Sequence, residues 1–280
     1  MRAMILGAGG MLGHDLVATA PDRIGLVPLA KADLDITATP ALAATIADVR
    51  PEVVINAAAY TAVDGAESDP ELAFRVNGEA VGELGRVAAR VGARVVHFST
   101  DYVFDGTASR PYTEESPTNP VNTYGASKLA GETALRESGA DFLILRTQWL
   151  FGMHGRSFPR TMYERARADL ATKVVADQTG RPTYTRDLAS ATWRLIDRCA
   201  RGVFHVANEG EATWFDVALH VFAWVGRRDL LSSCTSTDYP RPARRPRYST
   251  LDTRHLNQFL EAPLPTFRTA LDDFLHRLTT

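Results

Sequence analysis

The feature that most constrains the fold is a run of glycines between the first apolar segment and the first helical pattern. Ala3–Leu6 leads directly into Gly7-Ala8-Gly9-Gly10-Met11-Leu12-Gly13. In a strand-turn-helix unit, Gly7 would permit a tight turn, Gly10 would let the backbone approach a diphosphate, and Gly13 would let the helix pack closely. The helix N-terminus offers free N–H groups and a positive dipole end to phosphates. The pattern predicts dinucleotide binding, with a purely structural turn as the alternative.

Short apolar segments alternate with helical patterns through the first half of the chain. The predicted strands are Ala3–Leu6, Ile24–Pro28, Val53–Asn56, Val95–Ser99 and Phe142–Arg146. The predicted helices between them are Met11–Ala20, Pro40–Val49, Pro70–Val91 and Thr123–Ser138. Such alternation is typical of a parallel sheet covered by helices on both faces. We therefore expect an α/β, Rossmann-type doubly wound fold over residues 1–148.

The pattern loosens after Gln148, where loops lengthen and prolines gather. We expect residues 149–280 to form mainly a smaller α/β substrate lobe that rests on the first domain and returns some strands and helices to its core. Two further strands, Lys173–Ala176 and Val203–Ala207, are expected to extend the sheet. Helices are expected at Arg156–Asp169, Thr185–Arg198, Trp214–Val225 and Thr266–Leu278.

Composition excludes several classes of protein. The formal net charge is −2, so nothing global attracts nucleic acid or an anionic membrane. The two cysteines, Cys199 and Cys234, do not form a disulfide framework, and no His/Cys cluster has metal-ligand spacing. No signal peptide or membrane span is apparent, because the longest apolar stretch, Trp214–Val225, is interrupted and too short. We expect a cytoplasmic protein.

The segment after the second strand bears on the choice between NAD and NADP. An acidic residue closing that strand would bind a ribose 2′-hydroxyl. Here Leu29-Ala30-Lys31 comes first, with no carboxylate before Asp33. Lys31 could meet a 2′-phosphate instead. We favour NADPH over NADH, with a solvated surface lysine as the alternative.

The segment Tyr124-Gly125-Ala126-Ser127-Lys128 has the spacing Y-x-x-x-K. Residues four apart share a face of a helix, so an ammonium group would lie beside a phenol and should lower its pKa. Tyr124 could then protonate a carbonyl oxygen. Ser99 and Thr100 end the fourth predicted strand, at the edge where open α/β sheets bind ligands. The combination with the glycine turn indicates a short-chain dehydrogenase site.

Further segments resemble the dTDP-4-dehydrorhamnose reductases, an extended short-chain dehydrogenase/reductase family. The resemblance spans nearly the whole chain in order, and its most specific segments are Asn56–Asp64 and Ser99–Gly106. The full set of these further segments is Asp33–Thr37, Asn56–Asp64, Ser99–Gly106, Tyr124–Glu132, Arg146–Trp149, Asp177–Thr183 and Arg244–Pro246.

The resemblance implies NAD(P)H-dependent reduction of the 4-keto group of dTDP-4-dehydro-L-rhamnose to give dTDP-L-rhamnose. It implies a catalytic triad of Thr100, Tyr124 and Lys128, with Tyr124 as proton donor and Lys128 also on the nicotinamide ribose. The cofactor would further contact Gly10, Met11, Leu12, Asp35, Ile36, Ala59, Tyr60 and Thr61. The substrate would contact Thr100, Asp101 and Trp149.

Three of these assignments have simpler alternatives. Asp35 could cap a helix near Thr37, and Trp149 could be a core residue at the lobe junction. The basic run Arg241–Arg247 contains prolines and does not indicate nucleic-acid binding. The resemblance places this run in the substrate lobe, where Arg245 could bind the nucleotide diphosphate, with an exposed loop as the alternative.

The chain also departs from the family. Some relatives dimerise through Mg²⁺ held by carboxylates, and Asp15 and Asp187 could correspond to two of these. A third would be expected near the C-terminus, but Pro265–Arg268 contains no carboxylate. We therefore assign no metal ligands, which puts the Mg²⁺-linked dimer in doubt, while a homodimer stays open. Gln148 stands where relatives commonly have serine and could alter which sugar fits.

Two other functions remain open. A close relative could reduce another dTDP-4-keto-deoxysugar in natural-product biosynthesis, because the catalytic residues would be the same. The same fold also serves as a non-catalytic dinucleotide-binding regulatory subunit. The intact set of Thr100, Tyr124 and Lys128 favours an enzyme.

Overall fold

The computed structural model describes residues 1–280 and contains twelve strands and eleven α-helices. The strands are β1 Arg2–Leu6, β2 Gly25–Leu29, β3 Val53–Asn56, β4 Arg94–Thr100, β5 Phe142–Thr147, β6 Leu150–Phe151, β7 Thr172–Val175, β8 Thr179–Gly180, β9 Thr183–Tyr184, β10 Gly202–His205, β11 Ala212–Thr213 and β12 Leu231–Cys234. The helices are α1 Met11–Ala18, α2 Thr39–Val49, α3 Val63–Ser68, α4 Pro70–Phe74, α5 Ala80–Val91, α6 Thr123–Arg136, α7 Phe158–Arg167, α8 Thr185–Asp197, α9 Trp214–Val225, α10 Arg254–Leu260 and α11 Phe267–Thr279. No helix is both long and apolar enough to cross a membrane.

Six strands form one parallel sheet in the order β10-β5-β4-β3-β1-β2. One face carries a core of apolar residues from α1, α8 and α10, and the other face carries a core from α2, α5 and α6. This arrangement confirms the doubly wound α/β prediction. Strand order reverses between β1 and β3, so a crevice opens there at the carboxyl ends of the strands.

The predicted extension of the sheet was right for one strand and wrong for the other. Residues 202–205 form β10 and pair with β5 in parallel. Residues 172–175 form β7, which pairs with β12 instead, in a separate two-stranded sheet. Val174 on β7 is buried in a third core with residues of α7, α9 and α11. Packing within the C-terminal half therefore holds β7 away from the main sheet. The boundary at residue 148 stays a prediction.

The helix predicted over Pro70–Val91 is interrupted. A π-helical turn, Arg75–Glu79, separates α4 from α5. The turn places Asn77 in the interior, opposite Gly131 of α6, where a Cβ atom would overlap the Asn77 carbonyl oxygen. π-Helical turns are often found at functional sites. This one lies against the helix that carries Tyr124.

Candidate active site

The glycine turn after β1 is set by its backbone. Gly7 has φ of +77°, and a Cβ atom there would lie 2.6 Å from the Ala58 amide nitrogen. A Cβ atom on Gly13 would overlap the Gly7 carbonyl oxygen, so the first turn of α1 packs directly on the glycine turn. A Cβ atom on Gly10 would lie 3.3 Å from the Gly7 carbonyl oxygen, which is a tight contact, so this position also favours glycine.

The N-terminus of α1 fits a dinucleotide diphosphate. Gly10 is its N-cap, no side chain caps the helix, and its first turn carries no acidic residue. The backbone N–H groups around Met11 and Leu12 therefore remain available to an anion, with the helix dipole favouring negative charge. Met11 also faces the C-terminal half, since a Cβ atom on Gly152 would lie 3.1 Å from Met11 Cγ.

The other predicted cofactor residues lie along the same crevice. Ala59, Tyr60 and Thr61 follow β3, beside the glycine turn. The Asn77 side chain holds this loop: its Oδ1 accepts from the Tyr60 amide at 2.9 Å, and its Nδ2 donates to the Tyr60 carbonyl at 3.0 Å. The same Nδ2 donates to Ser127 Oγ on α6 at 3.0 Å. Asn77 thus ties the loop after β3 to α6.

Lys31, Asp35 and Ile36 follow β2 at the edge where the adenosine end of a dinucleotide would lie. Lys31 is exposed, with its Nζ 4.0 Å from Asp35 Oδ2. Asp35 Oδ1 accepts from both the amide and the hydroxyl of Thr37, at 2.9 and 2.7 Å, and these bonds lower the Asp35 pKa. Asp35 caps this turn and not the start of α2, which begins at Thr39.

The structure brings together the three predicted catalytic residues. Thr100 is the last residue of β4, and Tyr124 and Lys128 lie one turn apart on α6. The Thr100 side chain lies close enough to the Tyr124 hydroxyl to lower its pKa in part. Lys128 is buried, and its Nζ donates to the Phe98 carbonyl at 2.6 Å. The Thr100 and Tyr124 side chains therefore lie together at the carboxyl edge of β4, whereas the Lys128 ammonium group lies against the Phe98 carbonyl within that strand.

Two local features fix the start of α6. Asn122 caps the helix, because its Oδ1 accepts from the Gly125 amide at 2.7 Å. Its Nδ2 donates to the Arg244 carbonyl at 2.8 Å, across to the C-terminal half. A Cβ atom on Gly125 would overlap the Tyr102 carbonyl oxygen, so only glycine allows this approach to the segment after β4. Tyr124 is positioned by the residues on both sides of it.

The electrostatics of Tyr124 differ from the sequence-based expectation. We expected Lys128 to lower the pKa of the phenol, and this is wrong for the arrangement observed. Burial and the nearby Asp101 carboxylate raise the Tyr124 pKa, and Thr100 only partly opposes them. The phenol therefore stays protonated at neutral pH, as an unperturbed tyrosine does, and it is a weaker acid than an unperturbed tyrosine.

Lys128 is turned towards the interior of the sheet. Its Nζ lies 3.4 Å from His97 Nε2, and His97 Nδ1 lies 3.2 Å from Asn56 Nδ2. Burial lowers the pKa of Lys128 to about 8, partly opposed by Glu132. Burial and Lys128 hold the pKa of His97 well below its usual range, so the imidazole is neutral.

Asp101 lies between the catalytic residues and the C-terminal half. Only 2% of it is exposed, and burial raises its pKa to about 7. Ser249 Oγ donates to Asp101 Oδ2 at 2.5 Å, and Thr100 Oγ1 donates to Asp101 Oδ1 at 3.1 Å. Asp101 therefore couples the end of β4 to the segment that covers it.

Trp149 and Gln148 follow β5 into the cleft. Trp149 has φ of +49°, and its indole stacks on Trp214 with 3.7 Å between ring centroids. A Cβ atom on Gly180 would lie 2.8 Å from Trp149 Cε2 and 3.0 Å from Gln148 Oε1. Trp149 is half-buried. It is a lobe-junction residue as well as a candidate sugar contact.

Arg245 is engaged within the protein. Its Nη1 donates to Asp64 Oδ1 and, at 2.6 Å, to the Ala243 carbonyl, and it also contacts the hydroxyl of Tyr102. Asp64 lies on α3, on the opposite side of the cleft, and its pKa is lowered mainly by the bond from Arg245. The pair holds the 241–247 loop across the cleft, so a diphosphate contact by Arg245 stays a prediction.

The carboxylates considered for a metal have partners of their own. Asp15 Oδ2 accepts from Thr185 Oγ1 at 2.5 Å, and Asp187 Oδ2 accepts from Asn208 Nδ2 at 2.7 Å. The third carboxylate near them is Asp273 on α11, which helps to raise the Asp187 pKa. The sequence-based expectation placed this carboxylate at 265–268 and did not identify Asp273. No group of three His, Cys, Asp or Glu side chains is arranged to hold a metal ion.

Sequence reasoning missed several residues that shape the site. They are Asp64, Asn77, His97, Asn122 and Ser249, and all five act through side-chain bonds to distant segments. The N-cap pattern of Asn122 before α6 was the one signal visible in the sequence. Nothing local to the others indicates their partners.

The sheet, the glycine turn and the pair on α6 are those of the NAD(P)H-dependent oxidoreductases of the short-chain dehydrogenase class. The family model described as the RmlD substrate binding domain matches residues 1–280. A dTDP-4-dehydrorhamnose reductase of Burkholderia thailandensis is 42% identical over 288 residues, covering 97% of each chain. The chain therefore belongs to the dTDP-4-dehydrorhamnose reductase family.

Two further comparisons bear on cofactor and substrate. A crystal structure of dTDP-4-dehydrorhamnose reductase from Bacillus anthracis str. Ames, in complex with NADP, has a TM-score of 0.95 and 34% identity and covers 99% of both chains. A probable dTDP-4,6-dihydroxy-2-methyloxan-3-one 4-ketoreductase of Streptomyces antibioticus is 43% identical over 283 residues, covering 97% of this chain and 93% of the relative. The identities to these two kinds of reductase are similar, so overall identity does not choose the sugar.

Proposed function

We propose that this protein reduces the 4-keto group of dTDP-4-dehydro-L-rhamnose with NAD(P)H, giving dTDP-L-rhamnose. The observation that carries the proposal is the placement of Thr100 at the carboxyl end of β4, with Tyr124 and Lys128 on the adjacent helix α6 and a glycine turn that fits a diphosphate in the same sheet. When bound, the reduced nicotinamide supplies hydride to the carbonyl carbon. Every other part of the reaction is assigned to residues of this chain.

Tyr124 is proposed to donate its hydroxyl proton to the carbonyl oxygen. Tyr124 is protonated at neutral pH, and the neighbouring Thr100 would orient its hydroxyl. The Thr100 hydroxyl, which donates to Asp101 Oδ1 at 3.1 Å, is proposed to turn to the carbonyl oxygen when substrate binds and to stabilise the charge that develops there. Lys128 is proposed to hold the nicotinamide ribose and to restore the proton on Tyr124, and its lowered pKa suits proton transfer near neutral pH.

Asp101 and Trp149 are proposed to contact the sugar, and the 241–247 loop to cover the nucleotide. Residues 149–280 would then form mainly the substrate lobe. In support, Asp101 bonds to Ser249, and Trp149 stacks on Trp214, so both residues touch that half of the chain. Because Arg245 Nη1 bonds Asp64, Arg245 would bind the diphosphate only through another N–H group of its guanidinium.

NADPH is proposed as the preferred cofactor. Lys31 lies beside Asp35, and Arg75 is close enough to Asp35 to lower its pKa, so two cations surround the position that a 2′-phosphate would take. No metal is assigned to the reaction, because the polar groups that face the carbonyl are supplied by Thr100 and Tyr124. Dimerisation with or without Mg²⁺ is a separate question that sedimentation of the protein with Mg²⁺ or a chelator answers.

A second candidate is reduction of another dTDP-4-keto-deoxysugar, which the Streptomyces antibioticus relative favours. The test is cofactor oxidation across a panel of dTDP-4-keto sugars, each with NADH and with NADPH. We expect the highest kcat/KM with dTDP-4-dehydro-L-rhamnose and NADPH. A higher value with another keto sugar would favour the second candidate. Tight cofactor binding with no turnover of any sugar would contradict both and favour a regulatory subunit.

A further inference from the structure

We propose that the side-chain amide of Gln148 binds a ring hydroxyl beside the keto carbon, and that the enzyme thereby selects hydroxylated over deoxygenated keto sugars. The inference rests on the proposed function, since it concerns the specificity of the same site. It starts from a buried amide that has no hydrogen-bond partner in the protein.

Gln148 lies at the level of the catalytic residues. Thr147, the last residue of β5, pairs with Thr100 in the sheet, and Gln148 is the next residue along the chain. The chain then turns through the left-handed conformation of Trp149. The amide therefore sits at the carboxyl edge of β5, next to the strand that ends in Thr100.

The neighbouring wall connects Gln148 to Asp101. A Cβ atom on Gly180 would lie 3.0 Å from Gln148 Oε1, so the amide packs closely against β8. Glycine at this position leaves room for the amide. Within β8, the Thr179 carbonyl accepts from the Ser249 amide at 3.0 Å, and Ser249 Oγ donates to Asp101. Gln148 and Asp101 are thus connected through β8 and Ser249.

The amide is unsatisfied on both sides. Only 2% of Gln148 is exposed, and neither its Nε2 nor its Oε1 has a partner. The adjacent Thr147 Oγ1 is also buried without one. Most buried polar groups in folded proteins are hydrogen-bonded, so an exception requires an explanation. An amide that costs stability in the free protein is explained if a ligand completes its hydrogen bonds.

The chemistry of the amide selects the ligand group. Its N–H₂ donates and its carbonyl oxygen accepts, and a sugar hydroxyl can do both at once. A methylene in the same place would leave the buried amide unpaired. Sites that hydrogen-bond a substrate hydroxyl discriminate strongly against analogues that lack it. Gln148 therefore fits a hydroxylated ring position and disfavours a deoxygenated one.

Gln178 offers a matched control in the same half of the chain. Its Oε1 accepts from Trp214 Nε1 at 3.1 Å, and its Nε2 donates to Ser236 Oγ at 2.8 Å. This amide is satisfied by the protein. Gln178→Met should lower Tm, because it leaves partners unpaired, and should not change the preference between sugars. Gln148→Met removes an amide without orphaning any protein group, so Tm should stay the same or rise.

The test compares wild type, Gln148→Met and Gln178→Met on a dTDP-4-keto-6-deoxysugar and its 2-deoxy and 3-deoxy analogues. We expect wild type to disfavour one analogue by about tenfold or more in kcat/KM, and Gln148→Met to reduce that ratio to about threefold or less. The reduction should come from slower turnover of the hydroxylated sugar. Gln178→Met should keep the wild-type ratio.

An unchanged ratio in Gln148→Met would overturn the inference, as would a loss of Tm equal to that of Gln178→Met. The first result would mean that no substrate hydroxyl bonds the Gln148 amide. The second would mean that the amide contributes to the stability of the fold. If wild type turned over none of the sugars, the proposed function would fail. The preference for the hydroxylated sugar would then be measured as the ratio of calorimetric Kd values for dTDP-rhamnose and its deoxy analogues. A preference in wild type that Gln148→Met loses to the same extent would support the role of Gln148. No preference in wild type would overturn it.

Discussion

The two sides of the active-site cleft are built in different ways. On the cofactor side, Gly7 and Gly13 lie within one short turn, and the requirement there is on the backbone: a positive φ and no room for a Cβ atom. On the substrate side, the geometry depends on side-chain pairs such as Asp101 with Ser249, which are 148 residues apart. The cofactor side is therefore specified locally, and the substrate side only by the finished fold.

This difference separates what the family shares from what one member can change. A turn that tolerates only glycine has few alternatives, whereas pairs such as Asp64 with Arg245 or Trp149 with Trp214 can be replaced together. Relatives that act on different sugars should differ on the substrate side while keeping the same turn. The following predictions test this contrast.

The largest expected effect on ligand binding is on the cofactor side. Gly13→Ala places a Cβ atom into the Gly7 carbonyl and the Ala8 backbone, which cannot move without opening the turn. We expect NADPH affinity to fall by about 100-fold or more, measured by calorimetry. Gly25→Ala is the control, since its Cβ atom would lie 3.9 Å from the nearest atom, the Met1 carbonyl oxygen. Wild-type binding by Gly13→Ala would refute the claim that the turn is set by its backbone.

On the substrate side, Asp64→Asn weakens the pair that holds the 241–247 loop across the cleft. Asp64 also accepts from the Ala243 amide at 3.2 Å, so the loop loses two charge-assisted contacts. We expect kcat/KM for the sugar to fall by about tenfold, with the Kd for NADPH changed much less. Asp48→Asn, at an exposed position on α2, is the control. Equal losses in kcat/KM for the sugar and in affinity for NADPH would contradict the assignment of the Asp64–Arg245 pair to the substrate side.

The pH dependence should report Lys128, which serves both sides. Its pKa of about 8 means that kcat/KM should decline as pH rises through that value and the ammonium loses its proton. Lys128→Arg, which stays cationic, should have lower activity but an alkaline limb moved to higher pH. An unmoved limb would assign the titration to another group.

The same lowered pKa has a consequence for stability. Between about 8 and the ordinary value of 10.5, the unfolded chain binds more protons at Lys128 than the folded protein does. The contribution of Lys128 to the free energy of unfolding therefore rises with pH across this window. Chemical denaturation of wild type and Lys128→Met at two pH values measures the difference.

The smallest expected effect concerns the choice of cofactor. Lys31 has 87% of its side chain exposed, so its attraction for a 2′-phosphate is screened by solvent. Lys31→Ala should reduce the preference for NADPH over NADH by about threefold, more at low salt than at high salt. Lys173→Ala, also exposed, should leave it unchanged. If Lys31→Ala kept the wild-type preference for NADPH over NADH, Lys31 would be a solvated surface residue with no role in cofactor selection.

The contrast also explains how far sequence reasoning reached. The glycine turn, the parallel sheet and the positions of Thr100, Tyr124 and Lys128 follow from patterns that are local or span a single helical turn. Hydrophobic periodicity located the strands of the main sheet to within a few residues. It could not show that β7 pairs with β12, because an apolar segment carries no record of its partner.

The electrostatics of the site were beyond local reasoning. Spacing put Lys128 beside Tyr124, but it did not reveal that burial and Asp101 raise the pKa of the phenol. It also did not reveal that Lys128 faces His97. These properties depend on which side chains surround a group in three dimensions. The same holds for Asn77, whose role arises from a π-helical turn in a segment predicted as a regular helix.

The most direct test of the central claim compares Tyr124→Phe with Tyr102→Phe, a neighbouring tyrosine whose ring centroid lies 6.0 Å from that of Tyr124. Turnover of dTDP-4-dehydro-L-rhamnose with NADPH is measured together with the Kd for NADPH. Tyr124→Phe should lose about 1,000-fold in kcat with an unchanged Kd, whereas Tyr102→Phe should stay within about tenfold of wild type. A Tyr124→Phe variant that retained most of its kcat would contradict the assignment of Tyr124 as proton donor.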